Sequence, residues 1–390
     1  MTENRAVFTK YEDRYVLMHI VGNKAEHIYV YPDLEGGCIG NVYNCVAEKR
    51  MENFGKCFVR YDRKNSGFIN KDLKSGTILP LQYKKDGIDG KQPLFTDKIS
   101  IEGEYVVATS GHVFVKTSRK ASYDNGRIPE SVIAFAKENN LGIILRTKAC
   151  TETGCDKQVA EELEAIKGIF DDINSGASHS PAYTLLYSPL PEIIKDILYL
   201  IDQGVGEIVT DDEEIKETLS DEYPGITGPV NITDRVSLRF YDDKMLALSK
   251  LYSFEAKISE ALSRKVYLKS GACITFDHTE ALTAVDVNSA SSKGADGSEE
   301  SILSVNTEAA VEIARQLRLR NISGTIVIDF INMESDDSYK KLEEVIKDSI
   351  IKDRISTTLV DITKLKLAEL TRKRTGNDLF TVLKREQNGR

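Results

Sequence analysis

The sequence predicts a multidomain α/β chain, and three observations predict it. From about residue 37 to residue 104 the chain runs as short strands broken by turn residues (GCIGNVYNCVAEK, GKCFVRYD, SGFINKDL, GTILPLQYKK), the texture of a small all-β barrel. Beyond residue 181 strands and helices alternate, and the last 130 residues do so most regularly, as in an α/β layered sheet. A length of 390 residues accommodates two to four domains, each with its own core.

Taken in order, RYVLMHI (14–20) and HIYVY (27–31) are rich in β-formers and read as strands. After the barrel, EYVVATS (104–110) and HVFVKT (112–117) add two more. PESVIAFAKEN (129–139) places Pro in a first-turn position and reads as a helix. LGIILRT (141–147) has the β-branched content of a buried strand. Residues 156–173 recur at helical spacing through Val159, Leu163, Ile166 and Ile169. NSGASHSP (174–181) reads as a linker. A helix at 191–203, a strand at 206–210 and a helix over 243–263 follow. The last segment predicts strands at 273–277 and 281–288, a helix at 305–320, a strand at 324–331, a helix at 338–352, a strand at 356–361 and a helix at 364–374.

Composition narrows the function classes. With 41% hydrophobic and 29% charged residues the chain is globular rather than disordered. No apolar run approaches the roughly 20 residues that span a bilayer, and the N-terminus shows no signal-peptide pattern. A cytoplasmic, membrane-free protein is the expectation. The six cysteines form no disulfide framework, and Cys150 and Cys155 read as free thiols. The five histidines show no ligand spacing, so structural zinc is not expected. The net charge of −9 conceals an uneven distribution: residues 38–120 hold 15 Lys and Arg against 9 Asp and Glu. That basic segment in an acidic protein fits the footprint of a polyanionic partner and equally a solvated charged surface.

The sharpest feature is a pair of apolar runs that each carry an aspartate: Asp286 in ALTAVDVNSA and Asp329 in GTIVIDFINM. Aspartate is a poor strand former, and an ionised carboxylate in a dry interior is costly unless paired, hydrogen-bonded or metal-bound. Two unit charges about 4 Å apart repel by roughly 4 kcal/mol at an effective dielectric of 20. A divalent cation reverses that penalty, and hard oxygen ligands suit Mg²⁺. Asn288, two residues beyond Asp286, shares its side of the strand and can orient a carboxylate or a water. Arg315, Arg318 and Arg320, on the helix between the two strands, are candidates to hold a phosphate.

Three segments, EALTAVDVNSA, NTEAAVEIARQLRLRNISGTIVIDFINM and KDRISTTLVDITKLKLAELTRKR, give the chain its resemblance to the ribonuclease E/G family. The resemblance implies a Mg²⁺-dependent endoribonuclease, with Mn²⁺ an expected substitute. Such an enzyme cuts single-stranded RNA, leaves 5′-phosphate products and prefers 5′-monophosphorylated substrates in rRNA or tRNA processing or mRNA decay. It places catalytic roles on Asp286, Asp329 and Asn288, with the two aspartates as metal ligands. It implies an RNase H-like domain (1–36 and 187–262) interrupted by an S1-type OB-fold RNA-binding domain (37–104) and a 5′-sensor domain (105–186), followed by a DNase I-like α/β catalytic domain (263–390). The family's base-stacking aromatics fall on Phe58 and Phe68, and its RNA-contacting lysine on Lys91. Its 5′-phosphate pocket falls on Arg146 and Thr147, with Gly103 and Val107 supplying backbone and the basic pair Arg119 and Lys120 nearby.

The chain also departs from longer family members. No CPxCxGxG zinc link is present in these 390 residues, so a homo-oligomer is not expected to form through zinc, and no long disordered scaffold is expected. The segment after residue 362 is basic, with eight Lys and Arg against three acids. Two other functions fit parts of the pattern: a non-catalytic RNA-binding protein of the same fold, and another metal-dependent phosphodiesterase.

Overall fold

The computed structural model describes residues 3–35, 37–51, 55–87, 92–118, 128–152, 154–279, 281–289, 298–351 and 353–384. They fall into two compact units. One comprises Met1–Leu34, Lys195–Asp221 and Ile232–Arg390, and the other Glu35–Ile194 and Glu222–Asn231. No helix among the described residues is long and apolar enough to cross a membrane. All six cysteines are free thiols.

The smaller unit contains the barrel that the turn-rich texture predicts. Strands Val42–Met51, Lys56–Arg60, Ser66–Ile69, Leu94–Thr96 and Ile78–Lys85 pair in that order, and the last closes on the first through Tyr43↔Leu81. Closure leaves no free edge among the five strands, in keeping with an S1-like OB fold. Alternation sends Cys45, Ala47, Cys57, Val59, Ile69, Leu81 and Phe95 into a common core. Gly67 is required by that core, because a Cβ there would meet the Phe95 ring at 2.6 Å.

A second sheet in the same unit orders Phe114–Thr117, Leu141–Leu145, Val106–Ser110 and Ser100–Glu102. Helices Glu130–Glu138 and Asp156–His179 cover it through Val132, Ala136, Val159, Leu163 and Ile166. Two expectations change here. NSGASHSP is not a linker: the helix runs to His179, with Ile173 buried and the Asn44 amide donating to the carbonyls of Ala177 and Ser180 at 3.2 and 3.1 Å. Tertiary hydrogen bonds override the weak helix propensity of Gly and Ser. The strand at 141 ends at Leu145, and a short helix, Thr147–Thr151, starts at once, so Arg146 sits at the junction.

In the larger unit, the antiparallel strands Asn4–Tyr11, Arg14–Val21 and Lys24–Tyr31 are extended by Glu207–Thr210 and Ser237–Phe240, which run parallel to the first. The helix expected over 243–263 is two, Leu248–Leu251 and Phe254–Leu262, separated by Ser253 in the left-handed conformation at φ 52°.

The remaining sheet of this unit has six strands, in the order Lys265–Tyr267, Cys273–His278, Leu282–Asn288, Gly324–Asp329, Leu367–Arg372, Thr357–Ile362. Leu282–Asn288 and Gly324–Asp329 run parallel, a pairing that needs a crossover, and helix Glu299–Leu319 supplies it. That helix and Asp336–Ile351 pack on one face, burying Ile274, Val285, Val287, Ile326, Ile328, Ile313 and Leu342. The helix expected at 364–374 is instead the strand Leu367–Arg372. Ala368, Leu370 and Arg372 alternate inward, and the ladder to Gly324–Asp329 fixes their register.

Candidate functional site

The outer face of the six-stranded sheet carries the two carboxylates. Along Leu282–Asn288, Thr283, Val285 and Val287 are buried whereas Ala284, Asp286 and Asn288 are exposed; along Gly324–Asp329, Ile326 and Ile328 are buried and Asp329 is exposed. Asp286 and Asp329 are direct register partners across the parallel pair. Adjacent strands lie about 4.8 Å apart, so both carboxylates rise from neighbouring positions on one face. Asn288 donates its amide to Asp286 Oδ2 at 2.5 Å, which fixes that carboxylate's rotamer. The backbone just beyond Asp329 is held as well: Asn306, fully buried on the crossover helix, donates to Ile331 O at 2.8 Å and accepts from Ile331 N at 3.1 Å.

One premise of the sequence reading is corrected by this arrangement. The aspartates are not in a dry interior: the apolar run belongs to the inner face, and the carboxylates face solvent. Their juxtaposition remains, at a smaller electrostatic penalty than burial would impose. Two hard-oxygen ligands in register suit a divalent cation that keeps most of its waters. Among the described residues there is no cluster of three or more His, Cys, Asp or Glu side chains that could enclose a metal.

The helix arginines belong to the opposite side. Arg315 is 7% exposed, paired with Glu312 at 2.6 Å and bonded to the Ala25 carbonyl. Arg318 donates to Ala314 O at 3.2 Å. Arg320 is buried over the Phe276 ring, where burial lowers its pKa to about 10, and it donates to Gln316 Oε1 at 2.6 Å. Arg315 and Arg318 are thus held on the crossover helix and against the strand Lys24–Tyr31, and Arg320 against Phe276, on the side of the sheet away from the carboxylates.

On the barrel, Phe58 and Phe68 are cross-strand register partners. Their neighbours Cys57, Val59 and Ile69 point into the core, so both rings lie half-buried on the outer surface, and Lys56 Nζ sits 5.2 Å from the Phe68 ring centroid. The paired rings, with a cation beside one of them, belong to the barrel surface rather than to its core. Lys91, Arg119 and Lys120 lie outside the described residues.

Of the four residues of the expected 5′-end pocket, Arg146 and Gly103 are joined by a hydrogen bond, Val107 lies on the strand that follows the Gly103 turn, and Thr147 opens the helix that follows Arg146. Arg146, exposed at the helix N-cap, donates from Nη1 to the Gly103 carbonyl, and its backbone N–H donates to Tyr105 O at 2.8 Å. Thr147 Oγ1 donates to Ser118 Oγ at 3.4 Å. Val107 is paired with Ile144 on one side and Glu102 on the other. Sequence reasoning missed Glu162, which holds the same turn. Its only signal was an acid on the apolar face of an amphipathic helix.

Residues 100–375 match the model of the Ribonuclease E/G family. The chain is 26% identical to Ribonuclease G of Salmonella typhimurium over 94% of its own length and 78% of the relative's, and the same figures hold for Ribonuclease G of Escherichia coli K12. It is 31% identical to Ribonuclease E of Nostoc sp., covering 88% of this chain and 52% of that protein. The family match spans well over half of the sequence and takes in both carboxylate strands and the Arg146 junction: the chain belongs to the ribonuclease E/G family of endoribonucleases.

Proposed function

We propose that this chain hydrolyses single-stranded RNA with Mg²⁺ held at Asp286 and Asp329, leaves 5′-phosphate products, and favours RNA with a 5′-monophosphate. The observation that carries this reading is the direct register of the two carboxylates on the open sheet face. Asp286 and Asp329 would hold the cation, with Mn²⁺ able to take its place, and Asn288 would keep Asp286 aimed at it. A bound Mg²⁺ supplies charge neutralisation and Lewis acidity at the scissile phosphate. The open outer face leaves room for an extended strand to cross the pair. On this reading the six-stranded sheet is the DNase I-like catalytic layer. The sheet ordered Ser237–Phe240, Glu207–Thr210, Asn4–Tyr11, Arg14–Val21, Lys24–Tyr31 is the RNase H-like one. Rival readings as a binder without turnover, or as a phosphodiesterase acting on DNA, separate in one assay. RNA and DNA oligonucleotides of one sequence are incubated with Mg²⁺, and cleavage of RNA alone supports the proposal.

The barrel pair Phe58 and Phe68 would stack bases. Phe58→Ala and Phe68→Ala are each expected to weaken RNA binding by about 5- to 100-fold, the worth of one base–aromatic stack at ~1–3 kcal/mol. Thermal unfolding should stay near wild type, because neither ring belongs to the barrel core; a large loss of stability would return both residues to that core.

Arg146 would fork onto the 5′-phosphate, with the Thr147 hydroxyl adding a further bond. Arg146→Ala is expected to lower the ratio of kcat/KM for 5′-monophosphorylated over 5′-hydroxylated oligonucleotides by about tenfold or more, as for a lost bond to a charged group. An unchanged ratio removes the sensing role.

A further inference from the structure

We propose that Glu162 is a positioning residue for the 5′-end pocket, fixing the Gly103–Val106 turn on which Arg146 rests; the inference rests on the 5′-phosphate reading above. Glu162 lies on the buried face of helix Asp156–His179 and is 3% exposed. Its carboxylate accepts three backbone N–H groups in succession: Glu104 at 2.5 Å to one oxygen, and Tyr105 and Val106, each at 2.8 Å, to the other. Among the described residues no cation pairs with it. A buried carboxylate so placed is sustained by these amides.

Gly103 completes the fit. A Cβ at that position would lie 2.3 Å from the Glu162 carboxyl carbon, so the turn closes on the carboxylate only where residue 103 lacks a side chain. The opposite side of the same turn faces Arg146. The Gly103 carbonyl accepts Arg146 Nη1, and the Tyr105 carbonyl accepts the Arg146 backbone N–H at 2.8 Å. The turn therefore takes Glu162 on its N–H side and Arg146 on its carbonyl side. Two of the three amides oriented toward Glu162, those of Glu104 and Val106, belong to the peptide units whose carbonyls, Gly103 and Tyr105, face Arg146. With one terminal nitrogen engaged at Gly103, the guanidinium is held beside the turn, and its remaining N–H groups are left to meet a phosphate.

A purely structural role predicts something different from a positioning role. Loss of a fold staple lowers activity on every substrate alike, whereas loss of Arg146 alignment lowers the advantage of a 5′-monophosphate. Glu162→Gln keeps the side-chain volume but turns an NH₂ group toward N–H donors. It is expected to lower the monophosphate-to-hydroxyl ratio of kcat/KM by about fivefold or more, the size of roughly one weakened bond to a charged group. Glu162→Gln combined with Arg146→Ala should lower the ratio no further than Arg146→Ala alone, because both act through one group. Should the Gln variant fail to fold, Glu162→Asp, which keeps the charge but falls one methylene short of the three amides, is read the same way. A normal ratio in a folded Glu162 variant, or equal losses on the two substrates, overturns the inference while a lowered ratio in Arg146→Ala leaves the pocket itself standing. A normal ratio in Arg146→Ala overturns both.

Discussion

Replacing Asp286 or Asp329 by asparagine is expected to lower RNA cleavage by well over a hundredfold while RNA binding stays close to wild type. Disruption of groups that merely orient a metal's ligands costs about 10- to 100-fold; loss of a ligand carboxylate should exceed it. Asparagine keeps the size and hydrogen-bonding of the side chain but removes the charge that makes the pair attract a cation. The fold should tolerate the change. Both residues are exposed on the outer face, Asp329 at the end of its strand and Asp286 two residues before the end of its own, and the core beneath them belongs to Val285, Val287, Ile326 and Ile328. Removing one negative charge even relieves repulsion between register partners. Binding should survive because the proposed base-stacking pair, Phe58 and Phe68, sits on the barrel. Cleavage and gel-shift measurements on the same labelled oligonucleotide separate the two effects, and near-normal cleavage by either variant is incompatible with the metal assignment.

The largest expected effect on stability lies behind the same sheet. Arg372, 3% exposed on the strand next to Asp329, donates from Nε to Asp353 Oδ2 at 2.7 Å and from Nη1 to Asn321 Oδ1 and Ile322 O at 2.9 and 3.0 Å. Asp353, 4% exposed, also accepts from Ile355 N at 2.9 Å and Thr357 Oγ1 at 3.1 Å. The pair ties the end of the Leu367–Arg372 strand to the loop after helix Asp336–Ile351. Asp353→Ala leaves a guanidinium buried without its counter-charge and should cost about 3–5 kcal/mol. Replacing both partners by apolar residues of similar volume should cost far less, since neither charge is then stranded. Urea unfolding of the single and double variants compares the two, and a single-variant loss below about 1 kcal/mol would mean the pair is solvated.

The barrel was legible because its turns and period-2 strands are local, and so was the carboxylate pair as a pair of residues. The alternation in LTAVDVN already put Asp286 and Asn288 on one side. It did not show which side was buried, because Ala284 and Val327 carry apolar character onto the outer face and make each strand read as continuous core. LAELTR looked helical because Leu367 and Leu370 are three apart; its strand conformation is decided by a ladder to residues some forty positions away. RQLRLR looked like a phosphate-binding face until Glu312, Ala25 and Phe276 appeared as the partners of its arginines. The first strand, Asn4–Tyr11, went unread although it joins both the antiparallel and the parallel halves of its sheet. Gly103, Glu162 and Arg146 are spread over about sixty residues, and no periodicity joins them. The resemblance to the family named four of the pocket's residues at once, Arg146, Thr147, Gly103 and Val107, but it did not reach Glu162.

Divalent-cation binding at the two aspartates is the quantity on which the proposed activity depends. It can be read by Mn²⁺ titration, followed by electron paramagnetic resonance, of the full chain with a single-stranded oligonucleotide that carries non-cleavable linkages. The wild type should take up the ion with an affinity that Mg²⁺ competes away, and a double Asp286→Asn, Asp329→Asn variant should lose it. Uptake of the same strength in the double variant, or RNA cleavage by the wild type that persists in excess chelator, would contradict the assignment.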